Sequence, residues 1–193
     1  MKKVFVIVGL LLVGIAAKPQ TTLINAIQLL YQKNCVPALD ICNSLLAESA
    51  GDPSVLGVRS QIYTAMGKYD LALQDADKAL SIDNKSDYAH FAKAEVLYYG
   101  QKDYEQALQQ YEKAIQSNTQ MAEAHAGKAR SYMSLQNHKS AMKVIEDVLG
   151  KFPNHPELHY IYGLLNFQRG KPKLAVENYD QVKDTKDGFE WKL

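Results

Sequence analysis

Residues Leu56–Asn84 read LGVRSQIYTAMGKYDLALQDADKALSIDN. Apolar and small residues three and four apart mark two amphipathic helices. The first carries Leu56, Ser60 and Tyr63; the second carries Tyr69, Ala72, Ala76 and Ala79. Met66-Gly67-Lys68 supplies the turn between them. Small residues on the first helix face alanines on the second, so the two backbones can approach closely. Asp83-Asn84-Lys85 is a polar break that closes the pair.

The same pattern recurs along the chain. Alanines stand at Ala38, Ala72, Ala107, Ala141 and Ala175, in steps of 34, 35, 34 and 34 residues. Cys42, Ala76, Tyr111, Ile145 and Tyr179 keep the same steps, as do Leu45, Ala79, Ala114, Val148 and Val182. A column of Cys35, Tyr69, Tyr104, His138 and Pro172 precedes the alanines by three. Small residues precede them by twelve at Ala26, Ser60, Ala129 and Gly163. In the third unit a one-residue insertion near Gly100 moves this residue to Ala94. Pro53 and Pro156 open helices, where the missing N–H costs nothing. A fixed period of this length signals an array of helical pairs.

The sequence resembles the tetratricopeptide repeat family, most clearly through Leu56, Ser60, Tyr63, Gly67, Tyr69, Ala72 and Ala79, with Pro153 in the place of the family's unit-ending proline. The resemblance covers about nine-tenths of the chain, in units at 19–52, 53–86, 87–121, 122–155 and 156–189. It implies an all-α, right-handed superhelical solenoid of five helix-turn-helix repeats within a domain at 18–193. First helices would line a concave groove that binds protein or peptide segments. In that register Tyr88, Phe91, Tyr98, Tyr99, Arg130, Tyr160, Leu164 and Phe167 are the groove residues. Arg130 and Glu123 would set the polarity of a bound chain. Members that grip acidic C-termini of cytosolic chaperones use a clamp of Lys and Asn on consecutive first helices. Here those places hold Leu23, Ile27, Val58, Tyr88 and Ala92, or one unit later Gly57, Gln61, Ala92, Glu123 and Gly127. Terminal-carboxylate recognition by that route is not expected.

The first seventeen residues are a different polymer. Met1-Lys2-Lys3 precedes Val4–Ala17, an uncharged run of fourteen apolar or small residues that Lys18-Pro19 ends. This is the pattern of a secretory signal peptide. The run is short of the ~20 residues of a spanning helix, and an uncleaved membrane anchor is the alternative. Cleavage after Ala17 leaves 20 basic and 21 acidic residues, a formal charge of −1 in place of +1. The working compartment is then periplasmic or extracellular. Only an uncleaved segment would hold the chain at a membrane.

The near-zero net charge excludes a dedicated electrostatic nucleic-acid binder. Hydrophobic residues are 47% and charged residues 22%, which excludes bulk disorder. No phosphate loop, nucleophile elbow or acid pair in a cleft is present, so the chain reads as non-enzymatic, with no catalytic residue and no cofactor. Cys35 and Cys42, seven apart on one helix, lie about 10 Å apart along its axis and cannot pair. His90, His125 and His159 share one place in their units and read as packing residues with a polar edge. His155 and His159 lack a third ligand, so no metal site is expected. Asp75-Ala76-Asp77 reads as a solvated face. The tail Phe189, Trp191 and Leu193 either folds back over the last helix or docks on a partner or a second copy, which leaves a homo-oligomer through the last unit open.

Overall fold

The computed structural model describes residues 22–183. The segment 1–17, Gln20 and the tail residues Phe189, Trp191 and Leu193 lie outside the described residues. Within them the chain is all helix, with no strand. Helices α1 (Leu23–Tyr31) and α2 (Cys35–Glu48) form the first pair, α3 (Pro53–Ala65) and α4 (Tyr69–Ile82) the second. Helix α5 (Asp87–Val96) runs into a π-helical turn (Leu97–Gln101) and pairs with α6 (Tyr104–Ser117). Helices α7 (Ala122–Ser134) and α8 (His138–Leu149), then α9 (Pro156–Gln168) and α10 (Pro172–Lys183), complete a solenoid.

Several helix starts have a local cause. Asp52 accepts from the backbone N–H of Ser54 and Val55, and Pro53 follows it. Thr22, Ser86, Asp103 and Asn137 cap α1, α5, α6 and α8 in the same way. These caps satisfy N–H groups that have no partner inside the helix. Each turn within a pair then needs one residue at positive φ: Lys33 (60°), Gly67 (72°), Lys102 (56°), Gln136 (58°) and Gly170 (71°). They follow the repeat period, yet only two are glycine.

Packing follows the small-residue columns. Ala38, Ala72, Ala107 and Ala141 are 0% exposed and Ala175 is 1% exposed. Ala26, Ser60, Ala94, Ala129 and Gly163 are buried opposite them. The Ser60 hydroxyl donates to the Ala72 carbonyl at 2.6 Å, which satisfies that polar group within the seam. Successive pairs are also pinned at their edges by a periodic contact. Arg59 donates to Asn43 at 2.9 Å, Lys93 pairs with Asp77 at 2.7 Å, and Lys128 with Glu112 at 2.9 Å. At the boundary of α8 and α9 the equivalent residues are Glu146 and Tyr162, which cannot form this pair.

Two features depart from expectation or sharpen it. Asp75 is buried and receives two hydrogen bonds from Arg59, at 2.7 and 2.8 Å, so it is a paired seam residue and not part of a solvated face. The third-unit insertion is absorbed as the π turn Leu97–Gln101, closed by a bond from the Asp103 N–H to the Leu97 carbonyl. Cys35 and Cys42 are both free thiols.

The left-handed turns predict unequal responses. A non-glycine residue there is strained by about 1–2 kcal/mol. Gly67→Ala is expected to cost about 1 kcal/mol, and Gln136→Gly to stabilise by about 0.5 kcal/mol after the glycine entropy cost. Urea unfolding of the two variants beside the parent checks both signs.

Candidate binding groove

The first helices of the pairs line a groove with two cavities. One, of about 450 Å³, is bounded by Tyr98 and Tyr99 from the π turn, Arg130, Met133 and Ser134 from α7, and Glu157, Tyr160 and Leu164 from α9. Gln136, His138 and Gln168 close one end of it. The other, of about 300 Å³, is bounded by Ile27, Tyr31, Gln61, Tyr88, Phe91 and Glu123.

Arg130 is the centre of the first cavity. It donates to Glu157 through Nη1, and to Glu95 at 2.7 Å and the Tyr111 hydroxyl at 3.0 Å through Nη2. Tyr111 in turn donates to Glu95. The guanidinium carbon lies 4.6 and 4.9 Å from the ring centres of Tyr98 and Tyr99, within cation–π range. A regular helix rotates by about 100° per residue, so consecutive side chains diverge. The π turn changes that rotation, and two consecutive tyrosines reach one arginine. Their rings meet edge to face, 5.0 Å apart. π turns are frequent at functional sites.

Electrostatics follow from burial. Glu95, Arg130 and Glu157 have side chains 17%, 19% and 16% exposed. Burial pushes the Glu95 carboxyl above its usual range, although Arg130 and Tyr111 pull it down. For Arg130, burial pulls the guanidinium down, but Tyr111, Glu157 and Glu95 together carry it well above its ordinary value. Burial, then Glu95, raises the Tyr111 and Tyr99 phenols. The network thus holds one fixed cation against two carboxylates on neighbouring units.

The second cavity is bridged. Tyr31 donates to Glu123 at 2.6 Å, joining the first pair to the fourth across 92 residues of sequence. Burial and then Glu123 raise the Tyr31 phenol far above the usual tyrosine range.

Of the eight groove residues read from sequence, Tyr98, Tyr99, Arg130, Tyr160 and Leu164 meet in the first cavity. Tyr88 and Phe91 line the second. Phe167, 64% exposed, lines neither. Phe91 also packs on Tyr111, and Tyr160 on Tyr179, each at 5.9 Å between ring centres, so part of each ring serves the core. Tyr111 and His138 were legible only as members of packing columns; Tyr111 enters the Arg130 network through Glu95 and Arg130, and His138 lines one end of the first cavity.

The three histidines at one place in their units act alike. His90 Nε2 lies 2.9 Å from the Asn84 carbonyl, His125 Nε2 3.4 Å from Thr119 and His159 Nε2 2.8 Å from Pro153, each six residues earlier. Nδ1 of His90 and His159 meets Gln110 and Asn178 on the second helix of the same pair. They tie the inter-unit loop to the helix. Among the described residues no group of three His, Cys, Asp or Glu could hold a metal ion, and no helix is long and apolar enough to cross a membrane.

The fold and the groove define a helical-repeat solenoid whose first helices present an aromatic face. Two models described as tetratricopeptide repeat match the chain, at residues 58–122 and 98–165, which together span more than half of it. The chain belongs to the tetratricopeptide repeat family. Neither match is to an enzyme family. A search of curated proteins finds no match. Among solved structures, the thermophilic repeat protein TTC0263 of Thermus thermophilus is similar at 19% identity and TM-score 0.72, covering 83% of this chain and 87% of that one. Pseudomonas aeruginosa pilF is similar at 18% identity and TM-score 0.67, covering 83% and 72%. MamA of Desulfovibrio magneticus is similar at 20% identity and TM-score 0.60, covering 82% and 89%. At these identities the likeness is one of fold.

Arg130→Met is expected to destabilise by about 3–5 kcal/mol, because it takes the one cation from two largely buried carboxylates. The double variant Arg130→Met/Glu95→Gln recovers part of that loss, and denaturant unfolding measures the difference. Because burial raises Glu95, the folded protein holds its proton more tightly than the unfolded chain does. That contribution is full at low pH and is lost as pH rises through the raised Glu95 pKa. Glu95→Gln removes it, which unfolding as a function of pH detects.

Proposed function

We propose that this protein is a non-enzymatic scaffold that works outside the cytoplasm and binds segments of partner proteins in its groove. The observation that carries the reading is the 450 Å³ cavity walled by Tyr98, Tyr99, Tyr160 and Leu164 around a fixed arginine. Tyrosines give large contact area at low entropy cost, and such groups dominate binding energy at interfaces. The membership of a family of interaction repeats supports it. Export rests on the basic start and apolar run of residues 1–17. A role in envelope assembly or secretion is the setting that fits an exported scaffold.

A second reading has its own observation. Phe167, Leu174 and Val176 on the last pair are 64%, 39% and 55% exposed, which favours self-association, or assembly as a membrane-held subunit, through that end.

The test is affinity capture from native cell extract with the wild-type chain beside Tyr160→Asp and Leu164→Asp. Circular dichroism first establishes that both variants are helical. A partner held by wild type is expected to lose at least about 30-fold in affinity, the effect of a hot-spot residue. Equal retention by all three proteins moves recognition away from the cavity. Light scattering that shows concentration-dependent oligomers, lost in Phe167→Asp, favours the second reading. Mass spectrometry of the native N-terminus is expected to begin at Lys18.

A further inference from the structure

The boundary between the fourth and fifth pairs differs from those before it at its edge, and from the second–third boundary in one further contact. The edge contact made by Arg59, Lys93 and Lys128 is missing, because Tyr162 stands in the cationic place and leaves Glu146 exposed without an ion pair. The aromatic contact of the second–third boundary is missing too. In the second pair Tyr69 lies against Gly100 of the next, so closely that a Cβ at Gly100 would come within 2.8 Å of the ring. At the corresponding places of the later boundary stand His138 and Arg169. The smaller imidazole and the outward arginine leave a cleft of about 620 Å³ between α8 and α9.

The lining of this cleft is chemically distinct from the groove. Buried Met142 and Leu165 form its floor. Lys139, Lys143 and Arg169 are exposed on its walls, and none is in an ion pair with another described residue. Glu146 is the one carboxylate among the lining residues. His138 stands between this cleft and the groove cavity and lines both. An apolar floor and three uncommitted cations against one acid together specify a ligand with an apolar side chain flanked by carboxylates.

We infer that the cleft between α8 and α9 is a second docking site, adjoining the groove cavity across His138 and Gln168, that takes an acidic segment of a partner protein. An apolar side chain of the segment covers Met142 and Leu165. Its neighbouring carboxylates pair with Lys139, Lys143 and Arg169. Charge complementarity of this kind sets partner choice and association rate more than affinity.

The test probes the full chain on an array of short peptides. Each carries one Leu, Ile or Phe flanked by Glu residues, and each has a Gln counterpart. Retention on the Glu peptides is expected to exceed that on the Gln peptides by about ten-fold at low salt and to fall as salt screens the pairs. Lys139→Glu/Lys143→Glu abolishes the preference. His138→Tyr places at the cleft the ring that Tyr69 supplies at the second pair, without removing a fixed cation, and it abolishes retention by filling the cleft. Tyr160→Asp, in the groove, leaves the retention unchanged. Equal retention on Glu and Gln peptides, no retention on either, or a preference that survives His138→Tyr overturns the proposal.

Discussion

The close approach of the two helices within each pair is the constraint on which everything else depends. No single pair has a core of its own. Each buries a thin seam where Ala38, Ala72, Ala107, Ala141 and Ala175 meet small residues on the partner helix. Side chains of this size let backbone meet backbone, and the dispersion contacts of many such atoms accumulate into a stable unit. The seam also fixes rotation. Once an alanine must face inward, every other residue of both helices has an assigned direction. The seam therefore positions the edge pairs Lys93–Asp77 and Lys128–Glu112, and it turns Arg130 toward Glu95 and Glu157.

That assignment makes an inserted residue costly unless it is absorbed before the next seam. The π turn Leu97–Gln101 does this: Ala94 and Ala107 are both fully buried on either side of it. Its consequence is chemical, because the changed rotation delivers Tyr98 and Tyr99 to the same guanidinium. The irregularity of the third unit and the aromatic wall of the groove are thus one event.

Much of the fold was legible because periodicity is a property of the whole chain. Five alanines in phase report a seam that any one alanine would not. The position of the insertion was legible for the same reason, since Ala94 breaks step where the others keep it. The groove was legible only in part. Tyr98, Tyr160 and Leu164 could be placed by register, but the environment of Arg130 could not, because its two carboxylates belong to the units before and after it. Asp75 read as solvated because its partner Arg59 lies on the other helix of the pair. The Tyr31–Glu123 bridge depends on the curvature of four stacked pairs, and no local pattern encodes curvature.

The joint between the fourth and fifth pairs brings these threads together. It lacks the lysine–carboxylate contact at its edge, yet the pairs stay together. Arg130 supplies the missing link on the groove side, reaching Glu157 from α7 while it holds Glu95 of the preceding unit. Ile145, Leu158, Ile161 and Leu165 seal the core between them. A joint held on its groove side and through its core needs nothing at the opposite edge. That edge can then carry Tyr162 where the earlier boundaries carry Arg59, Lys93 and Lys128, and stay without an ion pair. Burying a cation among carboxylates and aromatic rings costs desolvation that a plain apolar contact would not. What the arrangement gains is a boundary fastened at one side and accessible at the other.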